Sequence, residues 1–144
     1  MLQRIQSLLL AGVPVLVLIL LFVPVYSIAG KSAQTSSDLS LLSGTLALVL
    51  NILPAVLAIF TIFRFTNRPQ QIKLCMAGML LSLAVLAGML LIPASLFPAM
   101  NAPDAVVSFS AGIFILPINV LLFFLASRYI RRDEELVRSA DRLR

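Results

Sequence analysis

The sequence contains no histidine, no tryptophan and a single cysteine, Cys75, among its 144 residues. Without histidine, the chain cannot build the Ser–His or Cys–His pairs that activate a nucleophile. One cysteine can form neither an intrachain disulfide nor a metal site with several thiolates. Glycine-rich phosphate-binding loops are also missing. We therefore expect no catalytic residue, no cofactor and no metal ligand, and the sequence does not predict an enzyme.

Charged residues are nearly absent from four long apolar stretches, approximately 5–26, 39–63, 72–92 and 105–126, and the exception is Lys73 at the start of the third. About 20 helical residues cross a hydrocarbon core of ~30 Å. The stretches are apolar all round, without the polar face of a helix on a soluble protein, and 60% of the chain is hydrophobic. Residues 1–144 therefore predict one all-α domain. It is a membrane bundle of four transmembrane helices followed by a short cytoplasmic C-terminal helix, within the tail 127–144.

All six acidic residues lie outside these stretches: Asp38, Asp104, Asp133, Glu134, Glu135 and Asp141. An intramembrane aspartyl protease or a carboxylate proton relay needs a carboxylate within the membrane. The sequence argues against both.

The first stretch has some features of a cleavable signal peptide. Arg4 precedes it, and Ser27-Ile28-Ala29 resembles a small-x-small cleavage site. Its apolar run is longer than the ~7–15 residues of a signal sequence. We expect it to remain as a transmembrane helix, with cleavage as the alternative.

The basic residues predict the orientation of the bundle. Ten of them precede the first stretch, lie between the second stretch and the first turn of the third, or follow the fourth, and only Lys31 falls on the other side. Lys and Arg accumulate in the cytoplasmic loops of membrane proteins. We expect a multi-pass membrane protein with both termini in the cytoplasm. The basic composition then reflects topology, and no nucleic-acid partner is expected.

Two asparagines are the main polar candidates inside the membrane. Asn51 lies three residues before Pro54, and Asn119 lies two residues after Pro117. Both side chains should turn away from lipid. They either bond other helices, repair turns that a proline breaks, or line a polar cavity for a solute. Counted from the predicted cytoplasmic helix ends, their depths differ by about five residues, or ~7 Å.

Small residues in the third stretch favour close helix packing. Gly78 and Ser82 have the small-xxx-small spacing. They predict packing inside the bundle, with contact to another subunit as the alternative.

The tail is the most strongly patterned polar segment, with apolar residues at helical spacing and charges of both signs. Glu134 and Arg138 form a favourable i,i+4 pair. Because the acids offset most of the arginines, the tail is a poor polybasic membrane anchor. It suits a partner-docking helix or a solvated extension of the fourth helix. The candidate docking residues are Leu136, Val137, Arg138, Asp141, Arg142 and Leu143.

The two ends of the chain resemble a known family. The start, Met1-Leu2-Gln3-Arg4-Ile5-Gln6-Ser7, and the end from Ile130-Arg131-Arg132-Asp133-Glu134-Glu135 to Arg144 are similar to those of small integral membrane proteins of Bacteroidota type. That family is classed as a domain of unknown function. The resemblance implies four helices in an inner membrane and brings no activity, ligand or catalytic residue.

Two functional classes fit these features. The first is a non-catalytic accessory or interaction subunit that docks a cytoplasmic protein through its tail. The alternative is a small transporter or channel for a small solute, built around Asn51, Asn119 and the nearby prolines. The lipid bilayer is the expected environment in both cases.

Overall fold

The computed structural model describes residues 2–20, 22–23, 25–29, 33–64, 67–91 and 106–141. Four α-helices lie in this part of the chain: α1 (Leu2–Ile19), α2 (Ala33–Phe63), α3 (Arg68–Leu91) and α4 (Ile115–Asp141). Two short strands, β1 (Tyr26–Ala29) and β2 (Val106–Phe109), and a 3-10 turn at Ala111–Phe114 complete the described elements.

The helices form a closed ring in which each packs against two neighbours. α1 packs against α2 and α4, and α3 packs against the same two helices. α2 and α4 are therefore diagonally opposed. Large apolar side chains such as Phe63, Leu80 and Leu121 cover the outside of the ring. An apolar exterior suits a bundle surrounded by lipid. The prediction of an all-α fold with four helices is confirmed for the described residues.

Within the described residues, three stretches of helix are long and apolar enough to cross a membrane: Thr45–Phe63, Arg68–Leu91 and Ala111–Ser139. The apolar part of α1, Ile5–Ile19, is shorter. The chain therefore has the helices of a membrane protein. That α1 also crosses the bilayer stays a prediction.

A small sheet replaces helix at two predicted span ends. β1 pairs antiparallel with β2, with Tyr26 opposite Phe109 and Ala29 opposite Val106. The first helix thus ends at Ile19 instead of near residue 26, and the fourth begins at Ile115 instead of near residue 105. Both segments are rich in β-branched and aromatic residues, which favour strands. Pairing between them satisfies backbone groups that helix would otherwise satisfy.

The middle helices begin earlier than predicted. α2 starts at Ala33, six residues before the predicted boundary, and α3 starts at Arg68, four residues before it. Pro69 does not prevent this start, because the first turn of a helix needs no donor at that position. The Asn67 carbonyl accepts the Gln71 N–H at 3.0 Å and begins the helical ladder.

One end of the ring carries most of the described positive charge, and we call it the basic end. Its residues are Arg64, Arg68, Lys73, Arg128, Arg131 and Arg132. The β1–β2 sheet connects to the opposite ends of α1, α2 and α4. α4 passes the basic end and continues to Asp141, so its 27 residues extend about 40 Å.

Candidate functional site

The interior of the ring contains two apolar clusters. The cluster nearer the sheet includes Leu20, Ala47, Val85 and Leu116. The cluster nearer the basic end includes Leu10, Ala58, Cys75, Phe123 and Ala126. On α2, α3 and α4, the residues between these clusters include three buried polar side chains: Asn51, Ser82 and Asn119. We call these three residues the polar layer.

Two contacts fix the register of α3 against α4. Arg68 Nη1 lies 3.0 Å from Asp133 Oδ2. Gly78, ten residues further along α3, faces the ring of Phe123, ten residues earlier in α4. The helices are therefore antiparallel and stay in step between these contacts. Four more residues along each helix bring Ser82 opposite Asn119.

Asn51 on α2 lies within about one helical turn of the same depth. The Gln71 side chain donates from Nε2 to the Thr61 carbonyl at 3.2 Å, which ties α2 to α3. Ten residues from this bond toward the sheet, α2 reaches Asn51 and α3 reaches Leu81, the neighbour of Ser82. The predicted depth difference of about five residues placed the basic end of the fourth helix near Ala126, and the observed register gives a smaller difference. The residue level with Arg68 is Asp133.

Both asparagine side chains turn inward, as expected, with exposures of 1% and 0%. Asn51 Nδ2 donates to the Ala47 carbonyl at 2.8 Å within its own helix. Pro54 leaves the Leu50 carbonyl without its usual donor, so this bond does not repair that break. Pro117 is the third residue of α4. N–H groups in the first turn of a helix have no intrahelical acceptor, so the missing N–H of Pro117 breaks no turn that Asn119 could repair.

Several atoms of the polar layer have no hydrogen-bond partner among the residues that the structure describes. They are Asn51 Oδ1, Ser82 Oγ and both polar atoms of the Asn119 amide. A buried polar atom without a partner costs ~1–3 kcal/mol. Donors and acceptors are both present, so the layer can bind water or another small polar molecule.

A cleft of about 350 Å³ opens at the basic end, and all four helices contribute to its walls. Gln6 of α1 is almost fully buried there, and within the described part of the chain its Nε2 has no hydrogen-bond partner. Arg68 of α3 binds the Asp133 carboxylate and also donates to the Asp133 carbonyl at 3.3 Å. Because one guanidinium holds two groups of α4, Arg68 fixes the point where this helix leaves the bundle.

Sequence reasoning missed this ion pair. Arg68 and Asp133 are 65 positions apart, and no local spacing links them. Both appeared only as members of charged segments. The one available signal is the negative charge of Asp133, which favours pairing with a basic side chain but does not say which one.

Beyond Asp133, α4 presents exposed side chains of mixed character. Leu136 is 53% exposed and Val137 is 44% exposed. The predicted pair is confirmed, because Arg138 Nη2 lies 2.9 Å from Glu134 Oε1. Asp141 ends the helix, and Arg142 and Leu143 lie outside the described residues. The structure thus places three of the six candidate docking side chains on one exposed helical segment.

Cys75 is buried in the apolar cluster near the basic end and forms no disulfide. Within the described ranges, no group of three or more His, Cys, Asp or Glu side chains is placed to hold a metal ion.

No curated protein and no solved structure matches this chain. A family match covers residues 2–143, nearly the whole sequence, and includes both patterned ends and all four helices. The chain therefore belongs to the family described as Domain of unknown function (DUF4293).

Proposed function

We propose that the protein is a non-catalytic accessory subunit of the bacterial inner membrane that presents the end of α4 to a cytoplasmic protein. The observation that carries this proposal is the Arg68–Asp133 ion pair together with the unbroken helix that follows it. A helix held at its exit from the bundle keeps a defined direction, so less conformational entropy is lost on binding.

The exposed surface beyond this ion pair suits a protein better than lipid. Leu136 and Val137 offer a small apolar area next to the Glu134–Arg138 pair. Charges of both signs weaken attraction to an anionic leaflet, while they orient a protein of complementary charge. The expected partner therefore has an apolar groove with acidic and basic residues at its edges.

A truncated chain that ends at Glu135 tests this proposal, because it removes the docking segment and keeps the Arg68–Asp133 pair. The truncated and full-length proteins are affinity-purified in mild detergent, and co-purifying proteins are quantified by mass spectrometry. Ser139→Ala serves as the matched control, since it changes the same segment outside the apolar pair. We expect the truncated chain to insert normally and to lose a partner that the control retains. An unchanged set of co-purifying proteins would contradict the proposal.

A small-solute pathway is the second candidate, and the polar layer favours it. Three of the four described helices place polar side chains at similar depth, and several of their atoms have no hydrogen-bond partner in the described ranges. A solute crossing the bundle would exchange hydrogen bonds there. Solute flux into liposomes containing the purified protein tests this candidate. If Asn51→Leu abolishes such a flux while the fold is kept, the pathway replaces the accessory role.

A further inference from the structure

A second cleft lies between α3 and α4 at the basic end and has a volume of about 650 Å³. Its side toward the middle of the bundle is formed by Met76, Met79 and Phe124. Its other side is formed by Arg128, Arg131 and Arg132, with Glu135 beyond them. The cleft therefore changes from apolar to cationic along the helix axis.

The Arg131 side chain extends toward the middle of the bundle, which is the direction in which side chains of α4 lean because they tilt toward the helix N-terminus. The Arg131 guanidinium lies 3.2 Å from the Met76 sulfur. In the register of α3 and α4, Met76 is level with Leu125, six residues or about 9 Å nearer the middle of the bundle than Arg131.

The Met76 thioether satisfies the Arg131 guanidinium poorly. Sulfur is a weak acceptor, and a guanidinium carries five N–H donors. The Arg131 guanidinium therefore keeps the capacity to bind a stronger acceptor, such as an anion. The three arginines and the Glu135 carboxylate give the cleft a net charge of +2.

We propose that this cleft binds an anionic phospholipid, with its phosphodiester at Arg128, Arg131 and Arg132 and an acyl chain against Met76, Met79 and Phe124. Guanidinium groups match a phosphate because they can donate two parallel hydrogen bonds. The apolar side of the cleft continues into exposed Met76 and Phe124 on the outer surface of the ring, where acyl chains would lie. A lipid has this same order of charge and apolar chain along the membrane normal. The proposal does not depend on the accessory role of the tail.

The test uses the full-length protein in nanodiscs that contain a trace of phosphatidylglycerol with a diazirine in its acyl chain. Light-induced adducts are mapped by mass spectrometry, and phosphatidylcholine with the same label is the neutral comparison. We expect adducts on the peptide that contains Met76 and Met79, with phosphatidylglycerol favoured. Arg131→Gln should lower this labelling by about fivefold, the equivalent of ~1 kcal/mol for one basic residue near an anionic lipid. Glu135→Gln should raise it.

Arg138→Gln is the matched control, because it removes one arginine from the same helix outside the cleft. An equal loss with Arg138→Gln would show a general effect of charge and overturn the proposal. Equal labelling by the two lipids would overturn it as well. Competition by millimolar inorganic phosphate distinguishes the source of the anion: full displacement of the labelled lipid would assign the site to a soluble ion. If Arg131→Gln fails to fold, Arg128→Gln and the lipid preference of the unchanged protein decide the question.

Discussion

Gly78 of α3 lies so close to Phe123 of α4 that a Cβ at position 78 would approach the ring to 2.5 Å. The glycine thus permits the close contact of these two helices deep in the bundle. Phe123 is fully buried within the cluster nearer the basic end. The contact also sets the register that brings Ser82 opposite Asn119.

Gly78→Ala should lower the free energy of unfolding by about 1–3 kcal/mol, because the added methyl group displaces a buried aromatic ring. Thermal unfolding in detergent measures the change. Ala77→Val is the control, since it adds volume at an exposed position on the same helix and should have little effect. Phe123→Leu should relieve the Gly78→Ala defect in the double variant. Independent, additive losses would contradict the proposed contact.

Breaking the Arg68–Asp133 ion pair should loosen α4 where it leaves the bundle. The two side chains are 28% and 17% exposed, between the surface and buried cases. We expect Asp133→Asn to cost about 1–2 kcal/mol in unfolding free energy. Glu134→Gln, which breaks the more exposed pair with Arg138, should cost less than ~0.5 kcal/mol. Similar losses for both variants would remove the special role of Arg68.

The two asparagines of the polar layer should respond differently to replacement by leucine. Asn51→Leu loses the bond to the Ala47 carbonyl and should cost about 0.5–1.5 kcal/mol. Asn119→Leu removes an amide that has no hydrogen-bond partner among the described residues, so stability should stay the same or increase. Chemical unfolding in detergent gives both values. A loss above ~2 kcal/mol for Asn119→Leu would show that this amide makes a strong interaction that the structure does not contain.

The distribution of basic residues predicts where each loop lies. Reporter fusions at Gly30 and Asn101 should give periplasmic signals, and fusions at Pro69 and Arg144 should give cytoplasmic signals, because the arginines keep their segments in the cytoplasm. A fusion with the Arg64, Arg68 and Lys73 charges removed controls for the effect of charge. Periplasmic activity of the Arg144 fusion would refute the proposed orientation.

The sequence predicts the helices well because long apolar runs without charge have few alternatives in a bilayer. It places the end of the first helix near residue 26 and the start of the fourth near residue 105, where the structure has strands. The two strands are about 80 positions apart, and only their pairing makes strand preferable to helix. Gly78 is recognisable from its spacing as a packing residue, but Phe123 as its partner is not. The polar layer and the Arg68–Asp133 pair depend on the register between helices. Contacts between side chains that are distant in the chain determine this register.

Site-specific photo-crosslinking in living cells tests the accessory role most directly. A photoreactive amino acid replaces Val137 on the exposed segment, or Leu121 on the apolar exterior as a control. We predict a discrete protein adduct at position 137 that is absent at position 121 and is weakened by Asp133→Asn, because the ion pair fixes the direction of the helix. Cells that give no protein adduct at position 137, or the same adducts at both positions, would contradict the proposed docking of a protein by α4.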